Sequence, residues 1–237
     1  MDNKNSVFQE IYLSNIWGRG SGYGSTKSAT KQYRKFLKSF IREHHIKTVA
    51  ELGCGDFQLM RHVDLTGITY TGYDVASIVV EQNNQKFAKS NLTFETISIY
   101  SDLKNAELLI CKDVLQHLPL SEINAIITQC FTNFNYVLVT NCIGNVKKST
   151  FNKNVNYGEF TNIRILEPPF SLVGTEVLRW RSPIRSIILP DMKIVDFLLL
   201  PLRIGAVLRQ SLNALVKMDR DLLPIWTKST VLLANNR

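Results

Sequence analysis

Glu51-Leu52-Gly53-Cys54-Gly55-Asp56-Phe57 is the stretch that decides how the chain is read. The apolar run Ile46–Leu52 leads into it and reads as a strand, and a short helix is expected from Phe57 to Val63. Glycines at the junction let the backbone turn tightly against a ligand, and the start of the helix leaves N–H donors free to meet it. Asp74 closes the next apolar run, 23 residues after Glu51. A carboxylate at that place in a nucleoside-binding sheet accepts hydrogen bonds from ribose hydroxyls.

Outward from this unit, short apolar runs alternate with helical stretches. Thr69–Tyr73, Leu92–Ile97, Leu108–Lys112 and Tyr136–Thr140 read as strands, with helices over Ser77–Lys89 and Ser121–Phe134. Such alternation predicts an α/β fold whose parallel sheet is covered by helices on both faces. Upstream, Tyr33, Phe36, Leu37, Phe40 and Ile41 fall on one helix face and Lys31, Arg34, Lys35, Lys38 and Arg42 on the other, with Ser28 or Thr30 as the cap. Before that helix, Gly18, Gly20, Gly22 and Gly24 recur at every second position, the composition of a loop. That loop, with Trp17, Arg19 and Tyr23, is either a lid over the ligand or a plain connector. Thr175–Arg181 and Lys228–Asn235 read as late strands, and residues 143–170 as an irregular loop.

The identity of the nucleoside follows from what the turn lacks. A dinucleotide enzyme needs a third glycine where this chain has Gln58, and Asp56 would repel a pyrophosphate. S-adenosylmethionine carries no phosphate, and Glu51 or a nearby carbonyl can receive its ammonium group.

Taken together, ELGCGDF (51–57), YTGYDVA (70–76) and CKDVLQHLP (111–119) resemble the first, second and fourth motifs of the class I S-adenosylmethionine-dependent methyltransferase family. More narrowly, NIWGRGSGYGS, the YRKFL helix, ELGCGDF and CKDVLQHLP in this order are similar to bacterial-type stand-alone methyltransferases, relatives of which are sometimes fused to glycosyltransferases. The resemblance covers about residues 15–180. It implies a Rossmann-like seven-stranded, mostly parallel sheet that ends in an antiparallel hairpin made by Thr175–Arg181 and Lys228–Asn235. One domain over 1–237 is expected: a glycine-rich lid and helix (1–47), a cofactor-binding core (48–142), and a substrate-side loop, helical insertion and terminal hairpin (143–237).

The resemblance also implies roles. Glu51, Gly53, Cys54 and Gly55 line the methionine part of S-adenosylmethionine, Asp74 binds the ribose, and Val75 flanks the adenine, with Lys112 and Asp113 completing the cofactor site. Where the family usually has an Asp for the adenine amine, this chain has Ser98, so its hydroxyl or the backbone takes that role. Asp113 and His117 follow the fourth strand, where open parallel sheets place their ligands. Asp113 is expected as acceptor-orienting group or base, or else as a cap on the following turn; His117 is the second candidate, or a pocket-lining side chain. Tyr33 either reaches the methionine carboxylate or packs in the core. Glu167-Pro168-Pro169-Phe170 imitates the Pro-Pro box of amine methyltransferases but stands far downstream of the fourth strand, and is expected not to be catalytic.

Composition narrows the partners. Of 237 residues, 28 are Lys or Arg and 20 Asp or Glu, a net charge of +8. The surplus is not uniform: residues 48–146 hold five basic and ten acidic residues, while 1–47 hold nine and three and 147–237 fourteen and seven. The basic flanks can meet an anionic acceptor, a membrane surface or a partner subunit, but aromatics are not interleaved with them, so no specific nucleic acid is expected. Cys54, Cys111, Cys130 and Cys142 show neither CxxC nor ligand spacing, which predicts reduced thiols and no metal. Met1–Glu10 lacks a secretory pattern, and a cytoplasmic protein is expected. The apolar stretch Asp196–Met218, broken at Pro201, reads as a substrate-cap helix, a homodimer contact or a peripheral membrane contact through residues 194–218. The expected activity is methyl transfer from S-adenosylmethionine to a hydroxyl of a small molecule or glycan. The alternatives are an RNA or protein methyltransferase, and a non-catalytic module that keeps the fold.

Overall fold

The computed structural model describes residues 3–98, 100–144, 150–181 and 227–233. The expected insertion helix at Asp196–Met218, and with it the dimer or membrane contact, lies outside them. Seven strands form one sheet: β1 (Thr48–Leu52), β2 (Thr69–Asp74), β3 (Leu92–Thr96), β4 (Leu108–Lys112), β5 (Tyr136–Cys142), β6 (Gly174–Arg181) and β7 (Thr227–Leu233). Their order is β3-β2-β1-β4-β5-β7-β6. The first five run parallel, and β7 is antiparallel to both β5 and β6. This is the sheet and the terminal hairpin that the sequence predicts.

Burial on both faces explains why the central strands are so apolar. Along β4 the side chains alternate. Leu108 and Ile110 join the core of one face with Tyr33, Leu37 and Phe40 of helix α2 (Lys31–Glu43), whereas Leu109 and Cys111 join the other. On that second face lie Ile123 and Ile126 of α4 (Leu120–Gln129), Val79 of α3 (Ser77–Phe87), and Phe8 and Ile11 of α1 (Asn3–Leu13). α3 reaches the first face as well, through Val80.

Several local expectations are corrected. The helix expected over Phe57–Val63 is a turn followed by a single 3₁₀ turn at Met60–His62, and the one expected to reach Phe134 stops at Gln129. Thr30 holds the first position before α2, yet its hydroxyl donates back to the Thr26 carbonyl (2.8 Å) instead of capping. α1 was not expected from sequence. Its Lys4 forms a buried ion pair with Glu122 of α4 (2.8 Å), and the same carboxylate accepts from Tyr100 (2.6 Å) and Tyr157 (3.0 Å), which fastens the N-terminal helix across the sheet's end.

Candidate active site

The turn after β1 is shaped by two glycines in the left-handed region, Gly53 (φ 74°) and Gly55 (φ 53°). A Cβ on Gly53 would stand 2.3 Å from Val114 Cγ2, and one on Gly55 2.1 Å from Ser21 Oγ, so both space and conformation require glycine. Asp74 at the end of β2 braces the turn, accepting from the Gly55 N–H (2.9 Å) and, at its other oxygen, from the Ala76 N–H (3.0 Å). Asn83 of α3 donates to the Gly55 carbonyl (2.6 Å) from the opposite side.

The four-glycine loop folds over this turn. Ser21 Oγ donates to Asp56 (2.7 Å) and accepts from the Asp56 N–H (2.9 Å), and Gln58 donates to the Arg19 carbonyl (2.8 Å). Asp56 and Gln58 thus seat the loop, a use that spacing alone did not reveal. Below the loop is a cavity of about 230 Å³. Its lining brings together Glu51, Gly53, Cys54, Asp74, Val75, Lys112, Asp113 and His117 with Trp17, Tyr23 and Gly24 of the loop. Lys4, Tyr100 and Lys228 line it too, and none of these three was anticipated.

Other expected residues fall elsewhere. Gly55 shapes the turn without lining the cavity, and Arg19 is exposed. Ser98 is exposed on the chain between β3 and Tyr100, and only its carbonyl is engaged, by Lys4 (3.2 Å). Ser98 is not among the residues that line the cavity. Tyr33 is fully buried, 5.7 Å from the ring of Trp180, and takes the core alternative. Glu167 and its prolines lie away from the cavity, strapped by Asn152, which donates to the Pro168 carbonyl (2.7 Å).

Electrostatics divide the cavity into two ends. At one end burial pushes the Glu51 carboxyl up to about 8, against the opposing effects of the Tyr70 hydroxyl, which donates to it, and the charge of Lys112. Burial also raises Asp74, with the backbone N–H groups of Ala76 and Gly55 opposing. At the other end Asp113, itself left-handed at φ 60°, accepts from both Lys112 and Lys228 at one oxygen, Oδ2. Burial alone would raise this carboxyl, but the two ammonium charges hold it at about 2. A carboxylate held this low takes up protons poorly, which favours the orienting alternative for Asp113 over the base.

His117 is set up differently. Its Nδ1 faces the Glu159 carbonyl (2.9 Å), which can only accept, so Nδ1 carries the proton and Nε2 the lone pair. The Cys142 N–H donates to Gln116 Oε1 (2.9 Å), which turns the Gln116 amide nitrogen toward His117 Nε2 (3.2 Å). Burial lowers the imidazole below its ordinary range, so the ring is neutral at neutral pH. Trp17 of the loop packs on it at 4.8 Å.

The donors present fit S-adenosylmethionine. Two buried carboxylates, Glu51 and Asp74, offer acceptors for an ammonium group and a ribose diol, and Phe8, Trp17, Val75 and Tyr100 supply apolar surface for a base.

No protein-family model matches the sequence, and no curated protein matches it. Solved structures do match, at full length. The N-methyltransferase NodS from Bradyrhizobium japonicum in complex with S-adenosyl-L-homocysteine is 10% identical, the match covering 99% of this chain and 100% of that one, with a TM-score of 0.55. The methyltransferase domain of a bacterial Hen1 is 14% identical over 86% of this chain and 99% of that one (TM-score 0.52). The [4+2]-cyclase SpnF is 12% identical over 97% and 96% (TM-score 0.56). The chain therefore has the fold of class I S-adenosylmethionine-dependent methyltransferases. Because two methyltransferases and a cyclase share this sheet, the chemistry has to be argued from the site.

Proposed function

We propose that this protein is an S-adenosylmethionine-dependent methyltransferase whose acceptor is a hydroxyl of a small molecule or glycan. The observation that carries the reading is the convergence of Glu51, the Gly53–Gly55 turn and Asp74 on one cavity that also holds Asp113 and His117. Glu51 would receive the ammonium of the cofactor, Asp74 the ribose, and Val75 with Trp17 and Tyr100 the adenine. When bound, the cofactor supplies an electrophilic methyl on a sulfonium with a neutral thioether leaving group. The chain's own task is to align the acceptor, exclude water and receive a proton.

Asp113 Oδ1 is buried and has no hydrogen-bond partner among the described residues, so its lone pairs are left for an acceptor hydroxyl that comes in against it. His117 Nε2, unprotonated at neutral pH, is the base within this end of the cavity once the Gln116 amide that donates to its lone pair gives way to the acceptor hydroxyl. Taking the proton turns the imidazole into an imidazolium beside the Asp113 charge, which favours the charged form. Water is excluded by the loop, whose Trp17 packs against His117.

Calorimetry with S-adenosylmethionine tests the cofactor half: micromolar binding that Asp74→Ala abolishes supports it, and no binding to the wild-type protein sinks it. Transfer of labelled methyl to a nucleotide-sugar or oligosaccharide pool, and not to total RNA or protein, tests the acceptor half.

A further inference from the structure

Among the described residues, the acceptor end of the cavity carries more positive charge than its one carboxylate balances. Lys112 and Lys228 both line the cavity with side chains only 3% exposed, and both lean on the same Asp113 oxygen. The contacts described occupy two of the three hydrogens of Lys112, on Asp113 and the Gly24 carbonyl (3.2 Å), and one of Lys228. The other charged groups nearby among the described residues do not cancel the excess. His117 is neutral, Glu51 is committed to Tyr70 and the cofactor end, and Asp74 stands two strands away on β2 with β1 between. A buried ammonium without a full counter-charge is costly, so such a pair is kept where an anion arrives to complete it.

Gly24 gives a second indication. A Cβ at this position would stand 2.8 Å from Lys228 Nζ and 3.3 Å from Asp113 Oδ2. The loop backbone thus closes directly over the pair, an approach that only a residue without a side chain allows, and it walls that end of the cavity beside the ammonium groups.

We infer that Lys112 and Lys228 bind an oxyanion on the methyl acceptor, a carboxylate or a phosphate or sulfate ester, so that the acceptor is an acidic molecule. The inference rests on the methyltransferase reading and narrows it: the anion seated on the lysines positions a neighbouring hydroxyl against Asp113 Oδ1 and His117 Nε2. An acidic sugar meets this description and a neutral alcohol does not. The cofactor's own carboxylate is the competing source of the same chemistry, and the test separates the two.

Wild-type protein saturated with S-adenosylhomocysteine is titrated with inorganic phosphate and with acetate, against chloride at the same ionic strength, by calorimetry. The same titrations are made on Lys228→Met and Lys228→Arg. The expected result is saturable binding of at least one oxyanion to the wild type, weakened tenfold or more in Lys228→Met and kept within about threefold in Lys228→Arg, with S-adenosylhomocysteine affinity unchanged in both. Retained cofactor affinity and retained charge response in the arginine variant also establish that the fold survives. Oxyanion binding that is absent from the wild type, or unaltered in Lys228→Met, overturns the inference. So does a tenfold loss of S-adenosylhomocysteine affinity in Lys228→Met, which would give the pair to the cofactor's carboxylate. Failure of the wild type to bind S-adenosylhomocysteine would count against the methyltransferase reading alone, and phosphate titration of the cofactor-free protein then still decides the oxyanion site.

Discussion

Lys228 and Asp113, 115 positions apart, meet as a buried ion pair where β7 begins and β4 ends at the same cavity. Neither β4 nor β7 could keep its charge there without the other. Asp113→Asn would leave Lys112 and Lys228 facing each other without a counter-charge, and should cost roughly 3 kcal/mol or more of stability. The pH dependence has a definite sign. Because the folded carboxyl is held at about 2, below the value near 4 of an unfolded chain, its stabilisation is complete at neutral pH and is lost as pH falls from about 4 toward 2. Urea melts of wild type and Asp113→Asn at pH 7 and pH 3 check this: the difference between them should shrink at the lower pH.

Glu51 behaves in the opposite sense. Its folded carboxyl is raised to about 8, so the free protein carries that proton at pH 7 and loses stability as pH climbs from about 4 through 8. A cationic ligand needs the ionised form. Binding S-adenosylhomocysteine at pH 7 should therefore release close to one proton, measured by calorimetry in buffers of different ionisation enthalpy. Glu51→Gln should abolish the release and weaken binding by roughly a hundredfold, while making the ligand-free protein more stable above pH 8. Equal heats in all buffers for the wild type would refute the assignment.

What the sequence revealed was what neighbouring residues encode. The alternation of Leu108 to Lys112, the glycine turn and Asp74 are each specified within a few positions of one another, and the structure brings them together. The pieces that were missed are set by distant partners. Lys228 read as an ordinary strand residue, since nothing near it in the chain shows that Asp113 lies opposite. α1 was missed because its first four residues are all polar and its apolar ones begin only at Val7, and its hold on Glu122 comes from Lys4. Ser98 stands where the resemblance places the adenine-binding Asp, but it is the Ser98 carbonyl that Lys4 engages. Asp56 was legible only as an obstacle to pyrophosphate, its partner Ser21 being 35 residues away.

Gly55 should tolerate no side chain. Alanine there must adopt φ near +53° and place its Cβ against Ser21 Oγ and, at 2.8 Å, the Tyr12 hydroxyl. The left-handed backbone alone costs about 1 kcal/mol, and the clash should unseat the loop from Asp56. Gly55→Ala is expected to lower affinity for S-adenosylhomocysteine by at least tenfold and to expose the loop to proteolysis near Arg19. Ser21→Ala in the same chain removes the Oγ clash but also both hydrogen bonds to Asp56, and leaves the backbone strain and the Tyr12 contact, so it should not restore the affinity.

His117 is expected to govern turnover through its lone pair. Burial lowers its pKa, so the fraction able to accept a proton is already near its maximum at pH 7. The rate of methyl transfer, once an acceptor is in hand, should be flat across neutral pH and fall only below the ordinary imidazole value of about 6.5. His117→Gln preserves a polar contact to the Glu159 carbonyl but supplies no base, and should lower kcat by 10²- to 10⁴-fold. Cofactor affinity should change little, because His117 stands on the acceptor side of Trp17. Gln116→Leu supplies the complementary measurement. It removes the amide that faces Nε2 and should move the acid limb of the pH profile while leaving a working enzyme. If His117→Gln keeps the wild-type rate and Gln116→Leu the wild-type profile, the proton leaves by a route other than His117.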